Sequence, residues 1–119
     1  MRLCLALTVL LLAAPAQAGS LSLVEAQKIE YLITAIESLQ DAQFIRNGIG
    51  YDSKAAAEHL RSKLRVAGPR VSTADDFIRL CASASSVSGT PYQIRFGDGH
   101  TVTSEAYLRQ KLEAFSPKR

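Results

Sequence analysis

The stretch PYQIRFGDGHTVTSEAYL, Pro91–Leu108, changes backbone period twice within eighteen residues, and its reading decides the fold. Tyr92, Ile94 and Phe96 alternate with Gln93 and Arg95, the two-residue period of a half-buried strand. Gly97-Asp98-Gly99 supplies a turn, and His100–Thr103 reads as the return strand. A two-residue turn at Asp98-Gly99 would pair Arg95 with Val102 and mix the two faces. A three-residue turn with Gly99 left-handed pairs Ile94 with Val102 and Phe96 with His100, which keeps one side apolar, and this is the expected register. From Ser104, the expected cap, a helix turns Tyr107 or Leu108, Lys111 or Leu112, and Phe115 inward, and Pro117 closes it. A lone hairpin is marginal in water, so the Ile94 and Val102 face needs helices to rest on.

Upstream the pattern is helical. Ser22 and Glu25 stand in capping-box relation, and Ile29, Leu32, Ile33, Ile36 and Leu39 recur at three- and four-residue steps, predicting a helix over Leu23–Gln40. DAQFIRNGIGYD (Asp41–Asp52) interrupts that period and reads as a connection, pinned to the core by Phe44 and Ile45. A second helix is expected over Ser53–Ala67, capped by Asp52 or Ser53 and ended by Gly68-Pro69, with Ala56, Leu60, Leu64 and Ala67 inward. Thr73 and Asp76 repeat the capping box and open a third helix, with Phe77, Leu80, Cys81 and Ala84 inward. The fold class is therefore α+β, mainly helical: four helices with one β-hairpin in the C-terminal half, before the last helix. No internal repeat or second domain is visible.

The N-terminus has its own grammar. Arg2, an apolar run over Leu3–Ala14, and the small-x-small triplet Ala16-Gln17-Ala18 form the layout of a signal peptide cleaved after Ala18. Residues 1–18 are thus expected to be a leader and 19–119 a single helical domain with the hairpin, exported and periplasmic, with no transmembrane anchor once the leader is removed. Beyond Arg2 the chain carries thirteen Lys and Arg against eleven Asp and Glu, mixed along its length, and this balance makes nucleic acid a poor partner. Cys4 leaves with the leader, so Cys81 is the sole mature thiol and no internal disulfide can form; a small buried hydrophobe is its expected role.

Three places carry chemistry. In FIRNG (Phe44–Gly48) the guanidinium of Arg46 can hold a carboxylate or phosphate in two bonds, and Asn47 can donate and accept beside it. The alternative is an internal Arg46 ion pair with Asn47-Gly48 as a tight turn. His59 lies near the apolar side of the second helix, where a satisfied, partly buried histidine is the commonest outcome. Two isolated histidines, His59 and His100, without carboxylate spacing imply no metal, and no cofactor motif is present. Ser85, Ser86, Ser88, Gly89 and Thr90 offer hydroxyls and amides for an anion or polyol, or else tie down the strand start. A Ser–His hydrolase would need Ser86 or Ser88 within hydrogen-bond reach of a histidine, and SVSGT is not a nucleophile elbow.

At FIRNG, AAAEHLRSKL (Ala55–Leu64), DDFI (Asp75–Ile78) and SSVSGTPYQIR (Ser85–Arg95) the chain resembles a family of small exported proteobacterial proteins catalogued as a domain of unknown function. The likeness covers nearly all of the mature chain and brings no established activity or cofactor. Its characteristic residues fall on Phe44–Gly48, His59, Leu60, Lys63, Ser85, Ser86, Ser88, Gly89, Pro91 and Tyr92. The resemblance also implies cysteines, in relatives, near the positions of Ala42 and Phe96, replaced here by apolar packing. It groups Arg46, Asn47, His59, Ser86, Ser88 and Tyr92 as one polar binding cluster. The leading expectation is a noncatalytic binding or accessory module for a small anionic, peptide or envelope-glycan group, its partner a small molecule or an envelope protein. The alternatives are the Ser–His hydrolase and a structural or protein-interaction partner in the cell envelope.

Overall fold

The computed structural model describes residues 21–115; the expected leader at residues 1–18 and the closing Pro117 lie outside the described residues. Helix α1 (Leu23–Glu37) is followed by strands β1 (Ala42–Arg46) and β2 (Ile49–Tyr51), helix α2 (Ser53–Ala67), and a short 3-10 turn over Gly68–Arg70. Helix α3 (Ala74–Phe77) then runs directly into a π-helical turn, Ile78–Ala82. Strands β3 (Gln93–Phe96) and β4 (Thr101–Thr103) lead into helix α4 (Ser104–Glu113). The mainly helical α+β class is as expected.

The C-terminal hairpin has the expected register. Ile94 pairs with Val102, the Phe96 amide donates to the His100 carbonyl at 2.9 Å, and Gly99 takes φ +90°. The difference lies upstream. The segment read as a connection is a second hairpin, turned by Asn47 and Gly48 at φ +51° and +78°, with Arg46 opposite Ile49. Two successive left-handed residues match the right-handed twist of the flanking strands, which is why Asn-Gly closes such turns. The two hairpins join through β1 and β3 into one antiparallel sheet of order β2-β1-β3-β4.

The sheet has one buried face. Phe44 and Ile94 face each other across β1 and β3 and are buried under the helices, while Gln43, Gln93 and Arg95 are exposed on the other side. Ile29, Leu32, Ile33 and Ile36 of α1, Leu60 of α2, Phe77 and Ile78 of the α3 segment and Leu108 of α4 complete one core with them. Ala42 and Phe96 are also directly opposite. Because the Phe96 amide points toward β4, this couple is a non-hydrogen-bonded pair, the closer-spaced kind in an antiparallel ladder.

Four local expectations are corrected. Helix α1 stops at Glu37 rather than Gln40, because the Leu39 amide closes a tighter turn on the Ile36 carbonyl and the Ser53 hydroxyl takes the Leu39 carbonyl. The Ser22 hydroxyl accepts the Glu25 amide, but the Glu25 carboxylate accepts from the Ala74 amide at 3.0 Å, capping α3 from α1 instead of closing the box. In the α3 segment, which ends in a π-helical turn, Ile78 and Ala82 are fully buried with Phe77 and Cys81, while Leu80 packs against the core only partly buried and Ala84 is half-buried. Thr103, not Ser104, caps α4 through the Ala106 amide, and Ser104 is buried in its first turn. Cys81 is fully buried, and burial pushes its thiol pKa up, as suits a small core residue.

Candidate functional site

Strand alternation decides what reaches the site. Ala42, Phe44 and Arg46 point to the same, helix-covered side of β1, so the last of three inward positions carries a charge. Tyr51 of β2, two residues beyond Ile49, comes to the same side and lies opposite Phe44. The Arg46 guanidinium stands 4.8 Å from the Tyr51 ring centre, and its Nη2 donates to the Tyr51 hydroxyl at 3.0 Å.

Helix α2 presents His59 to this arginine. Arg46 Nη1 lies 2.7 Å from His59 Nδ1 and 3.1 Å from Nε2. An arginine can only donate, so the closer nitrogen, Nδ1, is the acceptor and the ring proton sits on Nε2. That Nε2 is 3.2 Å from the Tyr92 hydroxyl, which also accepts from Lys63 Nζ at 3.1 Å. Lys63 makes a second bond, at 3.2 Å, to the Ala84 carbonyl, tying α2 to the segment that leads into the serines. Tyr92 is buried, and its ring packs edge-on against His59 with 5.8 Å between centres.

The electrostatics of this chain of donors are one-sided. Burial first, then the positive charges of Arg46 and Lys63, hold the His59 pKa below 6.5, so its imidazole is neutral at neutral pH. Among the described residues neither Arg46 nor Lys63 forms an ion pair. A cleft of about 430 Å³ opens beside Arg46. Its polar lining is Arg46, Tyr51, His59, Tyr92 and the buried Ser104, and Phe44, Ile45, Ala55, Ala56 and Leu60 form its apolar wall. The exposed Glu58 and Arg65 also border it, with opposite charges, and neither bonds to Arg46 or Lys63.

The serine segment meets the same hairpin at its tip. Asn47 Nδ2 donates to Ser85 Oγ at 3.3 Å, and Ser88 Oγ donates to Asn47 Oδ1 at 2.6 Å. The buried Ser85 Oγ also accepts the amides of Val87 and Ser88, at 3.3 Å each. Arg46 and Asn47 thus divide their work: the first faces the cleft, the second clasps the loop that delivers Tyr92.

The expected constellation is therefore brought together only in part. Arg46, His59 and Tyr92 form one hydrogen-bonded chain at the cleft. Asn47 and Ser88 bond to each other beside it, and Ser86 is exposed with no side-chain bond among those of the described residues. Among the described residues no serine hydroxyl bonds to His59, whose ring nitrogens face Arg46 and Tyr92. Among the described residues neither the internal Arg46–carboxylate pair nor a Ser–His couple is found. Tyr51 was missed. Its signal was the Asn47-Gly48 dipeptide, which fixes a two-residue turn and so carries Tyr51 to the side of Phe44 and Arg46.

A family model described as a family of unknown function (DUF5329) matches residues 24–116. The chain is 38% identical over 87 residues to an uncharacterized protein, YfeK, of Salmonella typhimurium (strain LT2), covering 73% of this chain and 72% of that one. No solved structure matches the chain.

Proposed function

On the premise that the chain belongs to the DUF5329 family of unknown function, we propose that it is an exported, noncatalytic binding module whose cleft takes a small anionic group. The observation that carries this reading is the pairing of Arg46 and Lys63. Two partly buried cations share a chain of neutral groups, His59, Tyr51 and Tyr92, and meet no carboxylate there. A buried or half-buried charge is costly unless something of opposite sign approaches it. Arg46 spends one Nη2 hydrogen on Tyr51 and one Nη1 hydrogen on His59 Nδ1, so its Nε–H and one hydrogen on each Nη remain for a ligand. The Tyr51 hydroxyl, already accepting from Arg46, has its own proton to give.

Nothing in this arrangement calls for bond making. His59 is occupied on both ring nitrogens, and the Ser88 hydroxyl is directed at Asn47. No helix of the described residues is long and apolar enough to cross a membrane, which accords with an exported module. Protein NMR with acetate and with inorganic phosphate tests the reading. The Arg46 Nε–H, Tyr51, His59 and Tyr92 signals should shift together and saturate, and the shifts should vanish in Arg46→Gln. Anions that leave the cleft unperturbed, or perturb Arg46→Gln equally, contradict it.

A further inference from the structure

Resting on that anion-binding reading, we infer that the ligand is a carboxylate carried on a compact apolar body, seated with its charge on Arg46 and its carbon skeleton along α2. Two features of the cleft set the class. The first is the donor set. Arg46 offers three N–H groups without a protein acceptor, the Nε–H and one hydrogen on each Nη, and Tyr51 adds one hydroxyl proton beside them. That matches the two oxygens of a planar carboxylate, with no further donor required. Lys63, the other cation, donates to Tyr92 and to the Ala84 carbonyl and does not line the cleft. The cleft's other cation, Arg65, is exposed at its border, as is the oppositely charged Glu58, so a phosphate dianion would find Arg46 as its one partly buried cation.

The second is the wall. Phe44 on β1 and Ala55, Ala56 and Leu60 on α2 line the cleft, and the small alanine side chains are what leave the space open. A volume of about 430 Å³ lies in the range of small-molecule sites. It is far more than a bare carboxylate fills. A fully polar ligand such as a sugar acid would strand its hydroxyls against that wall, while a hydrocarbon body gains about fourfold in affinity for each methylene it buries. The same chemistry exists in two sources, a free organic acid and the C-terminus of a peptide that ends in an apolar residue.

The test compares acetate with hexanoate, by calorimetry or NMR titration, on the folded protein and on two variants. Four added methylenes set a ceiling of roughly 200-fold, and a gain of at least about tenfold for hexanoate over acetate is expected. Ala55→Leu, which fills the wall from a partly exposed helical position, should remove most of that gain. Arg46→Lys should weaken both acids by about tenfold through loss of the second bond. Equal binding of acetate and hexanoate, or tighter binding of phosphate than of hexanoate, overturns the inference while leaving an anion site in place. Absence of binding by all three overturns both readings. The source is assigned with acetyl-Gly-Leu and its C-terminal amide: a peptide acid tighter than hexanoate, with the amide inert, supports a chain terminus. Hexanoate as tight or tighter supports a free acid, and an amide that binds as well as the acid counts against any carboxylate.

Discussion

Replacing Asn47 by alanine tests how the hairpin tip holds the site. The substitution acts in two ways that can be separated. Asn47 sits at φ +51°, a left-handed conformation that asparagine tolerates and alanine resists by about 1 kcal/mol or somewhat more. Its amide also makes two bonds across forty residues of chain, donating to Ser85 Oγ at 3.3 Å and accepting from Ser88 Oγ at 2.6 Å. Neutral bonds of this kind contribute about 0.5–1.5 kcal/mol each, and the low end applies because Ser88 can turn to water and Ser85 keeps two amide partners. Asn47→Ala should therefore cost about 2–3 kcal/mol, and Asn47→Gly, which relieves the backbone but keeps the lost bonds, about 1–2 kcal/mol. For a domain of this size the alanine variant should melt roughly 10–20 °C lower. Urea unfolding followed by far-UV circular dichroism reads both, with an unchanged slope expected. An alanine variant no weaker than the glycine one would refute the strained-turn argument. A glycine variant as stable as the parent would refute the clasp.

The remaining expectations concern other joints. Glu25→Ala should cost about 1 kcal/mol, because its carboxylate caps the Ala74 amide from a different helix, and Glu25→Gln, which keeps an acceptor, should cost less; thermal melts decide, and a neutral alanine variant would contradict the cap. A protein carrying Ala42→Cys with Phe96→Cys should close a disulfide on oxidation, since the two positions form a non-hydrogen-bonded pair. Thiol titration of the denatured mature protein would then find Cys81 alone, and three reactive thiols would show the register to be wrong. His59 has a folded-state pKa below its ordinary 6.5, so the unfolded chain takes the proton first as pH falls. Stability should decline on acidification through 6.5 and level off below the folded-state value, and His59→Gln should flatten that decline. At lower pH, Asp76, pulled to about 2 by the Ser72 amide and hydroxyl and then by Arg79, should add a further loss between 3.8 and about 2.

How much of this was legible in the residues differs from place to place. The C-terminal hairpin could be read to its register, because Tyr92, Ile94 and Phe96 alternate cleanly and only one turn length keeps them on one side. Helix α2 was legible to both ends, since Asp52 and Gly68 are strong boundary residues. The first hairpin was not, although Asn47-Gly48 advertises it. Ile45 places an apolar side chain on the opposite parity to Phe44, and three-residue β2 is too short to show a period. The α3 segment was legible in part: Phe77 and Cys81 are buried and Leu80 packs against the core, but the π-helical turn that ends it is announced by no local residue type. At the site, Arg46, His59 and Tyr92 were named together on the strength of a resemblance, and the hydrogen-bonded chain through them has a plain cause in strand parity and one helical face. Ser86 was named with them and points away.

The central claim is that Arg46 lacks a counter-charge that a carboxylate supplies. The His59 imidazole reports on it directly, because Arg46, like Lys63, lowers its proton affinity. Titration of the His59 ring signals by NMR should give a midpoint below 6.5 in the free protein and an upward move when hexanoate is added. A midpoint at or above 6.5 in the free protein, or one that hexanoate leaves where it was, would contradict the account.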